Sequence, residues 1–158
     1  MLASQRSGRY SALMFMDLDN FKPINDTQGH FVGDLLLVEM ALRISSCVRK
    51  VDIVARFGGD EFVAILSELH VDKAESISQA GIVAEKIRSK LAKPYVLQFK
   101  QEGKAEVTFE HCCTSSIGVA LFVNQDASQD DILKRADVAM YQAKEAGGNL
   151  IRFSAANT

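Results

Sequence analysis

At 158 residues with a formal net charge of −2, the chain is long enough for one complete hydrophobic core, and it is too nearly neutral to present a general nucleic-acid or acidic-membrane surface. Hydrophobic residues make up 47% and charged ones 24%, the balance of an ordinary globular domain. No apolar run nears the ~18 residues of a membrane span, and the opening Met1-Leu2-Ala3-Ser4-Gln5-Arg6 lacks the apolar centre of a signal peptide. Cys47, Cys112 and Cys113 form neither an even set nor a CxxC pair. That argues against a disulfide framework or a zinc site and for a reducing, cytoplasmic setting.

The first predicted element is a strand over residues 11–19 (SALMFMDLD), apolar until its two closing acids. Residues 21–30 hold Pro23, Asn25, Asp26, Thr27, Gln28 and Gly29, which predicts a loop or irregular turn. Over residues 31–48 apolar side chains recur at helical spacing, with Phe31, Leu35, Val38 and Leu42 as the stripe and Leu36, Met40 and Ile44 widening it. Residues 53–66 read as a β-hairpin closed by the two-residue turn Gly58-Gly59, whose tip needs the positive φ that glycine adopts at little cost. Asp72, with Glu75 three residues on, is an N-cap for a second helix that lines a face with Ile77, Ala84, Ile87 and Leu91 and ends at Lys93-Pro94. Strands are expected over 95–99 and 105–111 around a turn at 101–104, and again over 116–123; Cys112 and Cys113 read as buried strand residues. Ser128 with Asp131 caps a third helix carrying Ile132, Ala136, Ala139 and Ala143, Gly147-Gly148 ends it, and residues 150–153 add a last strand. The order β-α-β-β-α-β-β-β-α-β predicts one α+β domain over residues 1–158: a central, mostly antiparallel sheet flanked by helices. Its first half is the β-α-β-β-α unit of ferredoxin-like and polymerase-palm folds.

The anomaly is Asp60-Glu61. Two adjacent carboxylates open a strand that otherwise reads as buried, although acids are depleted in strands and rarely buried unless paired or bound to metal. Asp17 and Asp19 end the first strand, and a strand end can lie beside a hairpin tip. Carboxylates gathered in one place repel each other unless a cation neutralises them. Hard oxygen ligands of this kind suit Mg²⁺, which takes one or two carboxylates and leaves its other positions to water and substrate phosphates. The expected chemistry is metal-assisted phosphoryl or nucleotidyl transfer. Any one of these acids alone reads as strand-end decoration; four at two converging ends, beside a Gly-Gly tip that a ligand can approach, read as a site. Nearby, Lys22 can meet a phosphate as a point charge, and Asn25 can read a base edge. Asp34 either accepts from a guanine edge or is an acid favoured by a helix N-terminus, the second being preferred on the residues alone. Lys144, near a helix C-terminus, carries the same ambiguity between a ligand contact and a charge favoured by the helix end.

Taken in order, Asp17-Leu18-Asp19-Asn20-Phe21-Lys22-Pro23-Ile24-Asn25-Asp26, Gly29-His30, Gly33-Asp34, Gly58-Gly59-Asp60-Glu61-Phe62, Ser116-Ile117-Gly118-Val119-Ala120 and the run from Arg135 to Lys144 are similar to the motifs of the GGDEF family of diguanylate cyclases. The resemblance covers nearly the whole chain and implies a nucleotidyl-cyclase-like fold. It implies condensation of two GTP into cyclic di-GMP with release of two pyrophosphates, in a homodimer whose domains meet face to face, with no nucleic acid and no membrane contact by this domain. It implies that Asp17, the backbone carbonyl of Leu18, and Asp60 hold Mg²⁺ (or Mn²⁺). Asp60 would take the 3′-hydroxyl proton, and Glu61 is the other signature acid. Asn25 and Asp34 would read guanine, Lys22 and Lys144 would contact phosphates, and Gly58 and Gly59 would let the nucleotide lie against the turn. Arg49 and Asp52 stand where family members bind cyclic di-GMP as feedback inhibitor. Two departures stand out. Gly147-Gly148-Asn149 replaces the family's Gly-Arg-Asn, which removes one phosphate contact and leaves Arg152 as a candidate substitute. The family's Leu-Thr-Gly-Leu-x-Asn-Arg has no counterpart before Ser11, as expected of a piece of a larger signalling protein. The rival to the enzyme is a degenerate GTP- or cyclic-di-GMP-binding regulatory module.

Overall fold

Ser11–Leu18, small or apolar except for Asp17, form β1, and all eight residues are buried, as a strand covered on both faces requires. The structure, a computed structural model, describes residues 8–100, 102–123 and 128–155, and residues 21–29 by their backbone alone. After β1 follow α1 (Phe21–Ser45), β2 (Ile53–Gly58), β3 (Glu61–Leu66), α2 (Lys73–Leu91), β4 (Tyr95–Phe99), β5 (Val107–His111), β6 (Ser115–Phe122), α3 (Gln129–Glu145) and β7 (Ile151–Phe153), the predicted order. The main sheet runs β2-β3-β1-β6-β7, with β4-β5 a separate ribbon. All its pairings are antiparallel except β6 with β7. Strands 2-3-1-6 with their two crossover helices are the ferredoxin-like arrangement, to which β7 and the ribbon are additions. The fold class is as predicted: an α+β, nucleotidyl-cyclase-like fold with a mixed, mostly antiparallel sheet flanked by three helices among the described residues.

The two-residue pleat period divides β1 between two cores. Ala12, Met14, Met16 and Leu18 join Leu36, Met40 and Ile44 of α1 and Ala84, Ile87 and Leu91 of α2. Leu13 and Phe15 face the other way and pack with Ile132, Ala136 and Met140 of α3. On that face Gly118 of β6 lies against the α3 backbone, where a Cβ would collide with the Ala136 carbonyl oxygen and the Met140 nitrogen. Arg43 donates to the carbonyls of Lys90, Lys93 and Pro94, tying α1 to the end of α2. The predicted caps form: Asp72 accepts from the Glu75 N–H and Ser128 from the Asp131 N–H.

Several expectations need correction. Residues 21–30 are helical, not a loop, because Pro23 falls in the first turn, where its missing N–H would have had no helical partner. Of the predicted α1 stripe, Phe31, Val38 and Leu42 are exposed and Leu35 is half-buried against the core, which Leu36, Met40 and Ile44 carry. Ile77 is exposed too, and Ser76 and Ala80 take its place. The hairpin tip is Gly59-Asp60, not Gly58-Gly59: Gly58 pairs with Glu61 after a register shift beyond Arg56, and Gly59 holds φ 51°. Asp60 is thus in the turn, and Glu61 alone opens β3. Cys112 is exposed and Cys113 half-buried, because β5 ends at His111 and neither lies in a strand.

Candidate catalytic site

The alternation that sends Leu13 and Phe15 toward α3 sends Asp17 the same way, to the end of α3 that carries Lys144. Asp17 is opposite Glu61 in the β1–β3 ladder, and Asp60 is the next residue around the turn. The structure therefore brings Asp17, Leu18, Asp60, Glu61 and Lys144 together from three separate segments. Lys144 Nζ lies 2.6 Å from Asp17 Oδ1 and 3.1 Å from Asp19 Oδ1, and donates at 3.4 Å to the Leu18 carbonyl. Asp17 Oδ1 is buried, and the close Lys144 ammonium is the positive charge set against it. Burial pushes the Asp17 carboxyl up to about 6; Lys144 opposes this, and Asp60 and Glu61 reinforce it. Glu61 is raised as well, first by burial, then by the charges of Asp137 and Asp60.

Asp19 departs from the predicted cluster of four acids. It accepts from Thr114 Oγ1 at 2.6 Å, Ser116 Oγ at 2.7 Å and the Asn149 N–H at 2.9 Å, besides Lys144. Burial alone would raise its carboxyl, but these donors outweigh it and hold the group below the ordinary carboxylate range. Asp19 is a tie between β1, β6 and the segment after α3, a role no motif advertised. We expect Asp19→Ala to cost about 2 kcal/mol in urea unfolding at neutral pH, because its donors lose a charged acceptor. The cost should shrink in acid: a carboxylate with a depressed folded pKa gives stability that is present above the unfolded value and lost as pH falls through the folded one.

Gly148 is explained by the same tie. It holds φ 76°, and a Cβ there would stand 2.9 Å from Asp19 Oδ2, so the expected arginine has no room unless Asp19 moves. Arg152 is on β7 in register with Gly118, away from Asp17's ladder position.

Among the described residues no three His, Cys, Asp or Glu side chains are gathered closely enough to hold a metal by themselves. The donor set still fits a hard cation that keeps water or phosphate ligands: a buried carboxylate oxygen of Asp17 that already faces a cation (the Lys144 ammonium), the adjacent Leu18 carbonyl, and Asp60 on the neighbouring turn. Glycine at 58 and 59 is not demanded by packing, since a Cβ at either would meet nothing within 4 Å. The tip is open to an approaching molecule.

Asp34 lies within α1, far from the start at Phe21, so the helix-dipole account of it falls away. It is exposed at a cleft of about 380 Å³ between α1 and the β2–β3 hairpin, with Leu37, Val38, Ala41, Val54, Arg56 and Phe62 among the lining. Mostly apolar walls with a few polar groups, Asp34, Ser45 and Arg56, suit a flat, hydrogen-bonding ring. The side chains of Lys22 and Asn25 lie outside the described residues. Arg49 and Asp52 pair with each other: Asp52, its side chain only 2% exposed, accepts from the Arg49 N–H and guanidinium and from the Ser67 N–H. Asp52 is therefore saturated, while the Arg49 side chain is 53% exposed.

The raised Asp17 carboxyl gives a pH dependence. A folded pKa above the unfolded value means that the stability from its protonated form is complete below about pH 4 and lost as pH rises through about 6. In metal-free buffer Asp17→Asn should melt higher than the parent near pH 8, and the difference should vanish near pH 4.

The profile described as Diguanylate cyclase, GGDEF domain, matches residues 1–150. MucR of Pseudomonas aeruginosa, a bifunctional diguanylate cyclase/cyclic di-GMP phosphodiesterase, is 40% identical over 144 residues, 91% of this chain and 19% of that protein. The chain therefore spans about a fifth of that relative's length. The GGDEF domain of YfiN (TpbB) from the same organism matches at 32% identity with a TM-score of 0.79, covering 98% of this chain and 88% of that one. The GGDEF domain of DgcB from Caulobacter crescentus, solved in complex with c-di-GMP, matches at 27% identity and a TM-score of 0.78, covering 97% and 80%. No helix among the described residues is long and apolar enough to cross a membrane.

Proposed function

The chain belongs to the GGDEF family of diguanylate cyclases, and on that premise we propose that it condenses two GTP into cyclic di-GMP, releasing two pyrophosphates, where two copies of the domain meet. The observation that carries this reading is the buried Asp17 carboxylate opposite Glu61, beside the Leu18 carbonyl and ion-paired to the Lys144 ammonium. We take residues 1–158 as a single GGDEF domain of a larger cytoplasmic signalling protein.

In this mechanism Asp34, with Asn25, accepts from and donates to the guanine edge and fixes the base in the α1–β2 cleft. Lys22 and Lys144 hold the phosphates, and Gly58 and Gly59 leave the turn bare so that the nucleotide lies close to the backbone. Asp17, the Leu18 carbonyl and Asp60 would hold Mg²⁺ or Mn²⁺, which supplies charge neutralisation for the leaving pyrophosphate. Asp60 takes the proton of the 3′-hydroxyl as that oxygen attacks the α-phosphate of the GTP held by the other copy. Glu61, raised by burial and its acidic neighbours, is proposed to share that proton. Each domain contributes half of the reacting pair, so turnover requires the homodimer.

The test is to incubate the purified protein with GTP and Mg²⁺ and to separate products by chromatography. Cyclic di-GMP supports the enzyme. GTP binding without product at high protein concentration supports the second reading, a regulatory binding module, which the arginine missing at Gly148 favours.

Feedback by product is proposed at Arg49, whose guanidinium is held in place by Asp52 while keeping an exposed side open to a phosphate or a guanine ring. Arg49→Ala should raise the cyclic di-GMP concentration for half-inhibition by roughly tenfold, the loss of about 1.4 kcal/mol of binding. An unchanged inhibition curve would remove Arg49 from the site.

A further inference from the structure

Lys144 reaches three oxygens at once, those of Asp17, Asp19 and the Leu18 carbonyl, and two of these belong to the residues assigned above to the metal. Asp19 does not need this charge to be satisfied, since Thr114, Ser116 and the Asn149 N–H already donate to it. Asp17 Oδ1 and the Lys144 ammonium form an ion pair at 2.6 Å, so the lysine occupies an oxygen that a metal would use. The lysine backbone is anchored, because Ala143 beside it is buried against the sheet, whereas its side chain is 28% exposed on a flexible stem.

Resting on the metal and phosphate assignments of the proposed function, we propose that Lys144 is a resident counter-ion that competes with the divalent ion for Asp17 and the Leu18 carbonyl. A divalent ion bound at these oxygens would stand close to the ammonium and be repelled by it. In the nucleotide-free protein the lysine fills the site's need for positive charge and keeps free metal out. The phosphates of an arriving nucleotide offer the ammonium a better partner, draw it off, and open the oxygens to the metal that travels with them. Metal and nucleotide then bind as a coupled pair, with Lys144 as the coupling element.

Mn²⁺ binding measured by calorimetry without nucleotide tests this apart from turnover. Lys144→Met keeps the apolar stem and removes the charge; it should bind Mn²⁺ about tenfold more tightly than the parent, within the range of ordinary couplings. Lys144→Gln is a second neutral variant with the same expectation, and Lys144→Arg, which keeps a cation there, should bind Mn²⁺ as weakly as the parent. Equal or weaker Mn²⁺ affinity in both neutral variants overturns the inference. Asp17→Asn separates the two levels. If it loses Mn²⁺ while the neutral variants gain nothing, the competition alone is wrong. If it binds Mn²⁺ as the parent does, the metal assignment fails and the competition with it.

Discussion

Asp60→Ala should reduce cyclic di-GMP formation by about 10³-fold or more, because one side chain is proposed both to hold the metal and to accept the 3′-hydroxyl proton. The fold gives little reason for a loss of stability. Asp60 sits in the turn between β2 and β3, half-buried, outside both hydrophobic clusters, and the hairpin register is set by the Val54, Ala55 and Arg56 pairings. Activity and melting temperature should therefore separate: turnover lost, melting within a few degrees of the parent. Glu61→Gln provides the comparison. It keeps the ladder position opposite Asp17 and should fall less far if Asp60 is the main base. A variant at Asp60 that kept a tenth of the parent's turnover would remove it from both roles. Equal losses at both acids would mean that the pair works as one unit, as residues sharing a step often do.

The acids were legible because they contradict their surroundings. Asp60-Glu61 ahead of Phe62-Val63-Ala64 makes no sense as packing, and such a conflict is a local signal. The element order was legible for a similar reason: the caps at Asp72 and Ser128 and the glycines after α3 are local chemistry. What could not be read depends on the third dimension. α1 carries apolar residues on two faces, and spacing alone cannot say whether Leu36 or Val38 meets the sheet; the pleat of β1 and the position of α2 decide it. Asp19 looked like Asp17 because both end the same strand. Only the return of Thr114, Ser116 and Asn149 to that strand end separates a tie from a ligand. Lys144 was ambiguous in the same way, since its partners lie more than a hundred residues away in the chain.

Gly118→Ala should be the most damaging single methyl group on the α3 face. The added Cβ would run into the backbone of α3 at both Ala136 and Met140, and backbone cannot rotate aside as a side chain can. Either β6 or α3 must shift, at a cost of at least about 3 kcal/mol, the upper end of overpacking in a tight core. Denaturant unfolding measures this, with Gly58→Ala as the control: a Cβ there meets nothing within 4 Å and should change stability by about 0.5 kcal/mol or less. The consequence extends to the site, because α3 is the rail that carries Lys144 to Asp17. Lifting the helix off β6 lengthens the 2.6 Å ion pair and leaves Asp17 buried with less compensating charge. In the folded fraction of Gly118→Ala the Asp17 carboxyl should therefore titrate higher than about 6, as followed by carboxyl resonances in NMR. A variant that loses stability but keeps the Asp17 titration would show that Lys144 reaches its partner whatever the seating of α3. A shift in both would tie the packing of one glycine to the charge balance of the proposed active site.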